Sequence, residues 1–214
     1  MNELRDSIND LRQKNYQSRS FIPQEALFRL LQRTRIREAL NGKNEYYELE
    51  ELVDIIFNGA RKIFAILVLN GHERYITKFI EGDQLQSSQL DYKLPFYLER
   101  LQTLMSRGHA DLFYEKQWEF TAPIFTPFVL RRSLEYDTIL PFIKEQKLGS
   151  GGFGDVYLLD IDPGHQVFDA SVSQASCDLS LPIDNTILTI NSSFEKNCNR
   201  TQTISRSNWR TSPY

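Results

Sequence analysis

Four glycines crowd one short stretch, Leu148-Gly149-Ser150-Gly151-Gly152-Phe153-Gly154-Asp155-Val156-Tyr157, and the residues around them limit what this part of the chain can become. Glycine at this density favours backbone freedom over helix or strand propensity, so the stretch is a turn or loop whose neighbours set its class. A dinucleotide fingerprint needs a helix directly behind the loop, because the pyrophosphate rests on that helix's N-terminus. Here Val156, Tyr157, Leu158, Leu159, Asp160 and Ile161 follow, β-branched, aromatic and apolar, with the turn residues Asp162-Pro163-Gly164 behind them. That is strand composition. A Walker-type phosphate loop is excluded because no Gly-Lys-Ser or Gly-Lys-Thr follows the glycines. The arrangement that remains is strand, glycine loop, strand.

Each piece of that loop has a physical use. Gly149, Gly151 and Gly154 are read as positions where the backbone takes positive φ and approaches phosphate oxygens with its amides exposed and no Cβ in the way. Phe153 at the tip would screen the phosphates from water, and Leu148 and Val156, on opposing strands, would offer apolar cover to a flat purine ring. The plainer alternative is a β-hairpin with a flexible glycine turn and no ligand.

Before this stretch the chain reads as helical. Leu4, Ile8 and Leu11 share one face of an amphipathic helix, and Pro23 opens a second that carries Ala26, Leu27, Leu30 and Leu31 towards a stop at Asn41-Gly42. The clearest periodicity joins Leu49, Leu52, Val53, Ile56, Ala60, Ile63, Phe64 and Leu67 into one apolar stripe, with Gly59 inside it and Asn70-Gly71 as a left-handed stop. Ile76, Phe79 and Ile80 predict a short helix closed by Gly82, and Pro95 opens another using Leu98, Leu101 and Met105 before Gly108. Such a stripe is what a helical core requires, although a groove for a protein partner has the same pattern. From Phe113 to Ile139 the texture changes: Phe113, Tyr114, Trp118, Phe120, Phe125 and Phe128 are interleaved with Pro123 and Pro127, which reads as an aromatic, proline-rich linker.

Bulk properties exclude several classes. A net charge of −3 provides no field for nucleic acid or for an anionic membrane. The longest apolar run, residues 63–69, is far short of the roughly 20 residues a membrane-spanning helix needs, and the chain opens on polar residues, so neither a span nor a secretion signal is expected. Cytoplasm or nucleus is the expected location. Cys177 and Cys198 cannot complete a structural zinc site by themselves, His72, His109 and His165 lack ligand spacing, and the sequons at Asn191 and Asn199 read as chance matches.

The glycine stretch closely resembles the Gly-rich loop of protein kinases, including the Phe before the third glycine and the Val-Tyr after it. Residues 140–165 carry that resemblance. Arg61-Lys62-Ile63-Phe64-Ala65-Ile66-Leu67, Phe113-Tyr114-Glu115-Lys116-Gln117-Trp118 and Ile139-Leu140-Pro141-Phe142-Ile143 further look like the helical extension preceding the kinase domain in a group of fungal serine/threonine kinase-like proteins. The resemblance implies that Leu148, Gly149, Ser150, Gly151, Gly152, Phe153, Gly154 and Val156 cover ATP. In a complete relative, ATP with Mg²⁺ would then donate its γ-phosphoryl group to a Ser or Thr hydroxyl. Yet the third-strand lysine, the His-Arg-Asp catalytic loop and the Asp-Phe-Gly metal site are missing: after Lys147 the next lysine is Lys196. No catalytic residue and no metal ligand can be named.

The expectation is therefore an α+β chain: a helical N-terminal domain (1–112), a linker (113–139), a partial kinase small lobe (140–170) and a low-complexity, disordered tail (171–214) rich in Ser, Thr and Asn. It reads as a kinase truncated after its Gly-rich loop, inactive alone and at best a weak binder of ATP. The competing reading is a non-catalytic helical module that binds a protein partner and carries a remnant hairpin.

Overall fold

The structure is a computed structural model, which describes residues 2–40, 48–82, 89–126, 131–151, 154–167 and 201–205. Among them are eight α-helices and several short strands, the mixed α+β content expected of the chain. The chain divides into two compact units, one of Met1–Gln13 with Ser20–Thr121 and one of Lys14–Arg19 with Ala122–Tyr214.

The first unit contains α1 (Asn2–Asp10), α2 (Gln24–Leu30), α3 (Arg33–Leu40), α4 (Leu49–Gly59), α5 (Arg61–Asn70), α6 (Ile76–Glu81), α7 (Leu98–Leu104) and α8 (Arg107–Gln117). Its centre is α5. Ile63, Phe64, Ala65, Ile66, Leu67 and Val68 are all buried, and a helix buried on every side must be surrounded by others. Helices α1, α2, α4, α6 and α8 pack against it.

The apolar stripe that reads as one helix from Leu49 to Leu67 is two helices. Helix α4 ends at Gly59, and the buried Ala60 leaves helical geometry at φ −135° and ψ 24° before α5 begins. Periodicity carries across the break because both helices turn apolar faces to one core, so spacing alone could not reveal the bend. The segment from Pro23 likewise divides, at Leu31, into α2 and α3, while Asn41-Gly42 lies outside the described residues. Residues 113–117 of the segment read as linker are helical, since Ala110, Phe113 and Gln117 give α8 a buried side and proline first appears at Pro123.

Both ends of α5 are closed by residues distant in sequence. No local side chain caps its start; Asp91 does so instead, accepting from the amides of Lys62 (2.9 Å, Oδ2) and Ile63 (3.0 Å, Oδ1). A carboxylate at a helix N-terminus satisfies donors that would otherwise be buried and unpaired, and it meets the positive end of the helix dipole. Burial pushes the Asp91 pKa up to about 6, against the opposing pull of those two amides. At the other end Gly71 takes φ 74°, the amide of His72 bonds the carbonyl of Leu67 (2.8 Å), and Arg5 Nε donates to the carbonyl of Val68 (3.1 Å). The predicted stop at Asn70-Gly71 is present. The fully buried Gln117 pairs both ways with the backbone of Phe96, accepting its N–H (2.7 Å) and donating to its carbonyl (3.0 Å).

Two histidines that look scattered in sequence meet in this unit. The rings of His72 and His109 lie 3.7 Å apart between centroids, and Tyr75 Oη hydrogen-bonds His109 Nδ1 at 3.1 Å. Burial, then the neighbouring His109, lowers the His72 pKa; Arg74 adds to the effect and Glu73 opposes it.

The second unit holds β3 (Arg131–Glu135) antiparallel to β6 (Thr201–Ser205), and β4 (Phe142–Gly151) antiparallel to β5 (Gly154–Ile161). Of the tail expected to be disordered, 171–214, only 201–205 are described, as the ladder partner of β3. The short strands β1 (Gln13–Lys14) and β2 (Ser20–Phe21) bracket the N-terminal loop that belongs to this unit.

Two outcomes are expected. Asp91→Ala should cost about 1–2 kcal/mol in urea unfolding at pH 7, because two buried amides lose their acceptor; unchanged stability would show that water replaces the carboxylate. A depressed histidine pKa means the fold favours the neutral ring, so its stabilisation is complete above the ordinary imidazole value and fades as pH falls below it. His72→Phe should therefore lose less stability than the wild type between pH 7.5 and pH 5.5.

Candidate functional site

The glycine stretch forms the hairpin its flanks predict. Lys147 pairs with Tyr157, Gly149 with Val156, Ser150 with Asp155 and Gly151 with Gly154, so β4 and β5 run antiparallel as far as that last pair; Gly152 and Phe153 lie outside the described residues. The register shifts between Lys147 and Gly149, and Leu148 is the extra residue. A bulge bends a strand and re-aims the side chain it carries. Leu148 is 54% exposed.

Gly149 does not adopt the positive φ expected of it; it sits within strand β4 in ordinary extended backbone. A Cβ built there would meet nothing within 4 Å. Among the described residues, the absence of a side chain therefore relieves neither a left-handed backbone nor crowding, and it leaves the main chain open at this point. Ser150, Gly151, Gly154 and Val156 hold the register positions given above.

Beneath the hairpin lies a small core. Phe125, Leu134, Phe142, Leu159 and Ile161 are buried together, with Leu140 and Tyr157 packed against them, and the rings of Phe125 and Phe142 are 5.5 Å apart. The turn after β5 is firmly tied. Asp162 Oδ1 accepts from the Gly164 amide (2.9 Å), the Asp162 amide donates to the carbonyl of Pro141 (2.9 Å), and the buried His165 bonds Pro123 O through Nδ1 (3.2 Å). The Phe125 amide donates to His165 O (2.7 Å), and the Val167 amide returns a bond to Phe125 O (2.8 Å). The stretch directly after this turn is described to Val167.

Sequence reasoning missed a third component. The loop Lys14–Arg19 belongs to this unit: the Tyr16 amide donates to the carbonyl of Phe142 of β4 (2.8 Å), and the Tyr16 hydroxyl accepts from Gln17 Nε2 (2.8 Å). Burial first, then Glu145, pushes the Tyr16 pKa up to about 12. The one signal available was Tyr16, an aromatic residue in the polar interval between Leu11 and Phe21, on no helical face.

The helical unit has a shallow cleft of about 170 Å³ beside Phe28, Phe57, Arg61, Asp91 and Tyr92. Arg61 lies between the rings of Phe28 (4.5 Å) and Phe57 (4.1 Å), and its Nε and Nη1 donate to the carbonyls of Phe57 (2.7 Å) and Phe28 (3.2 Å). The cation is thus held mostly by its own scaffold. Among the described residues, no group of three His, Cys, Asp or Glu could hold a metal ion, and no helix is long and apolar enough to cross a membrane. Comparison with known protein families, curated proteins and solved structures finds no match to this chain.

With so few buried side chains beneath it, the hairpin should be sensitive to truncation of any one of them. Leu159→Ala should cost about 2–4 kcal/mol locally. Amide exchange across 142–161 would accelerate while the helical far-UV signature persists, and unaltered exchange would mean the hairpin does not rest on this core.

Proposed function

We propose that the hairpin of β4 and β5 is a nucleotide-covering element of the protein-kinase kind, carried in a chain that does not transfer phosphate by itself. The observation that carries this reading is the open backbone at Gly149, beside the outward Leu148 and opposite Val156. A glycine kept where a side chain would meet nothing fits a backbone meant to lie against something outside the chain.

In this reading Gly149, Gly151, Gly152 and Gly154 present amides to the phosphates of ATP, with Ser150 among them. Leu148 and Val156 cover the base, and Phe153 closes the tip. A kinase catalyses mainly by positioning and charge stabilisation, and the positioning lysine, catalytic base and metal-binding aspartate have no counterpart that can be assigned here. The expected behaviour is weak ATP binding without turnover. In a complete relative ATP would bring Mg²⁺, and a Ser or Thr hydroxyl would be the acceptor.

The second reading, a non-catalytic helical module for a protein partner, draws on the strongly exposed Tyr92 at the cleft and Tyr97. Tyrosines in such positions are common anchors at interfaces. Under that reading Tyr92→Ala abolishes partner binding and hairpin variants do not.

The test is titration of a fluorescent ATP analogue with the full chain. Gly149→Ala should leave unfolding within about 1 kcal/mol of the wild type, because strand geometry accepts alanine and no atom obstructs it, yet it should weaken nucleotide binding. Equal binding by wild type and variant would remove the basis for the nucleotide reading.

A further inference from the structure

We propose that His72 and His109 form a proton-sensitive latch between the end of α5 and the start of α8, closed while at most one of the two rings is charged and opened when both are. The device belongs to the helical unit alone. Helix α5 ends at Asn70, and the chain turns through Gly71 at φ 74°, so that His72 follows directly. His109 lies in the first turn of α8, which packs on α5. The two rings are 3.7 Å apart between centroids with 39° between their planes, and Tyr75 stands edge-on to both, at 6.1 Å from His72 and 5.6 Å from His109. Both histidines are half-buried, so protons reach them while water screens their charge only in part.

The geometry tolerates one proton and not two. Neutral rings pack as an ordinary aromatic pair, and a single positive ring can lie over the π face of the other. Two positive rings at 3.7 Å repel each other. The place of His109 adds to this, because a charge in the first turn of α8 faces the positive end of that helix's dipole. Tyr75 can serve His109 in either state over the same 3.1 Å, its hydroxyl donating to an unprotonated Nδ1 or accepting from a protonated one. That bond survives the change of charge, and the contact with His72 is the one that yields.

The charged neighbours do not offset the second proton. Burial, then His109, lowers the His72 pKa and Arg74 adds to this, while the backbone at Gly71 and Glu73 oppose it without reversing it. Helix α1 brings a further cation, Arg5, whose guanidinium lies over Gly71 and donates to Val68 O. On α8 the nearest charged residues, Arg107 and Asp111, stand two positions to either side of His109 and therefore on other faces of the helix. Lys78 and Glu81 of α6 pair with each other, and Arg100 of α7 donates to Gly82 O. Among the described residues, neither imidazole is paired with a carboxylate.

The experiment uses the full chain and two readouts between pH 7.5 and pH 5, the ring-proton shifts of the histidines and backbone amide exchange. In the wild type His72 and His109 should titrate as a coupled pair. The exchange readout follows residues 110–113, whose helical bonds begin with the Ala110 amide on Ser106 O, against residues 64–67 of α5. Corrected for intrinsic rates, protection of 110–113 relative to α5 should fall about 5-fold on acidification, the factor expected of two like charges this close with water partly admitted. His109→Gln and His72→Phe each leave a single titrating ring and should abolish that fall. His109→Gln should also raise the His72 pKa by about half a unit, since a neighbouring charge is removed. A fall that persists in either variant overturns the latch, as does wild-type protection of 110–113 that keeps pace with α5. Should a variant fail to fold, the wild-type titration decides, and two rings that titrate independently of each other refute the proposal.

Discussion

A helix that is apolar all round can exist only inside a ring of others, and its end groups must then be satisfied without bulk water. That constraint on α5 shapes the helical unit. Lys62 and Ile63 point their amides at a position which Asp91 fills, and Arg5 takes the Val68 carbonyl at the far end. The residues that close α5 therefore come from both sides of it in sequence, and the segments carrying them have to pass its two ends. The aromatic contacts of Phe79 with Phe96 and Phe113, at 5.5 and 5.2 Å, fill space between elements already ordered by that requirement.

The same device recurs in the second unit. There the carbonyls before and at the start of β4 are met by Asn15, Tyr16 and Arg19, again from far away in the chain. In both cases a polar side chain answers an unpaired backbone group, Asp91 for a helix start and Asn15 for a strand approach. Such contacts contribute little net energy each. Leaving the group unpaired is what costs more, and this asymmetry makes them specify which segment goes where.

This explains which parts of the fold could be read from residues alone. The apolar face of α1, the stop at Gly71, the strand after the glycines and the turn at Asp162 are local: each depends on spacing or on a residue's own backbone preference. The break at Ala60, the helical course of 113–117, the meeting of His72 with His109 and the assignment of Lys14–Arg19 to the hairpin unit depend on what lies next to a residue in space. Periodicity carries no record of that. At the glycine stretch itself the hairpin was legible from Val156 to Ile161, whereas the bulge at Leu148 and the place of Gly149 within strand β4 were not, because both follow from the pairing register.

Gly149 separates two explanations that sequence alone conflates. A glycine can be required by its own chain, through a left-handed φ or a crowded neighbour, and Gly71 is such a case, with φ 74° and an Arg5 nitrogen 2.7 Å from where a Cβ would stand. Gly149 meets neither condition, since its backbone is extended and the surrounding space is open. Strand propensity at that position favours almost any other residue, and among the described residues no atom would meet a Cβ there. An open main chain at this point is the feature on which the proposed nucleotide-covering role rests. The main-chain contact of the loop Lys14–Arg19, from the Tyr16 amide to the Phe142 carbonyl, lies at the opposite end of β4 from this glycine and leaves its surroundings open.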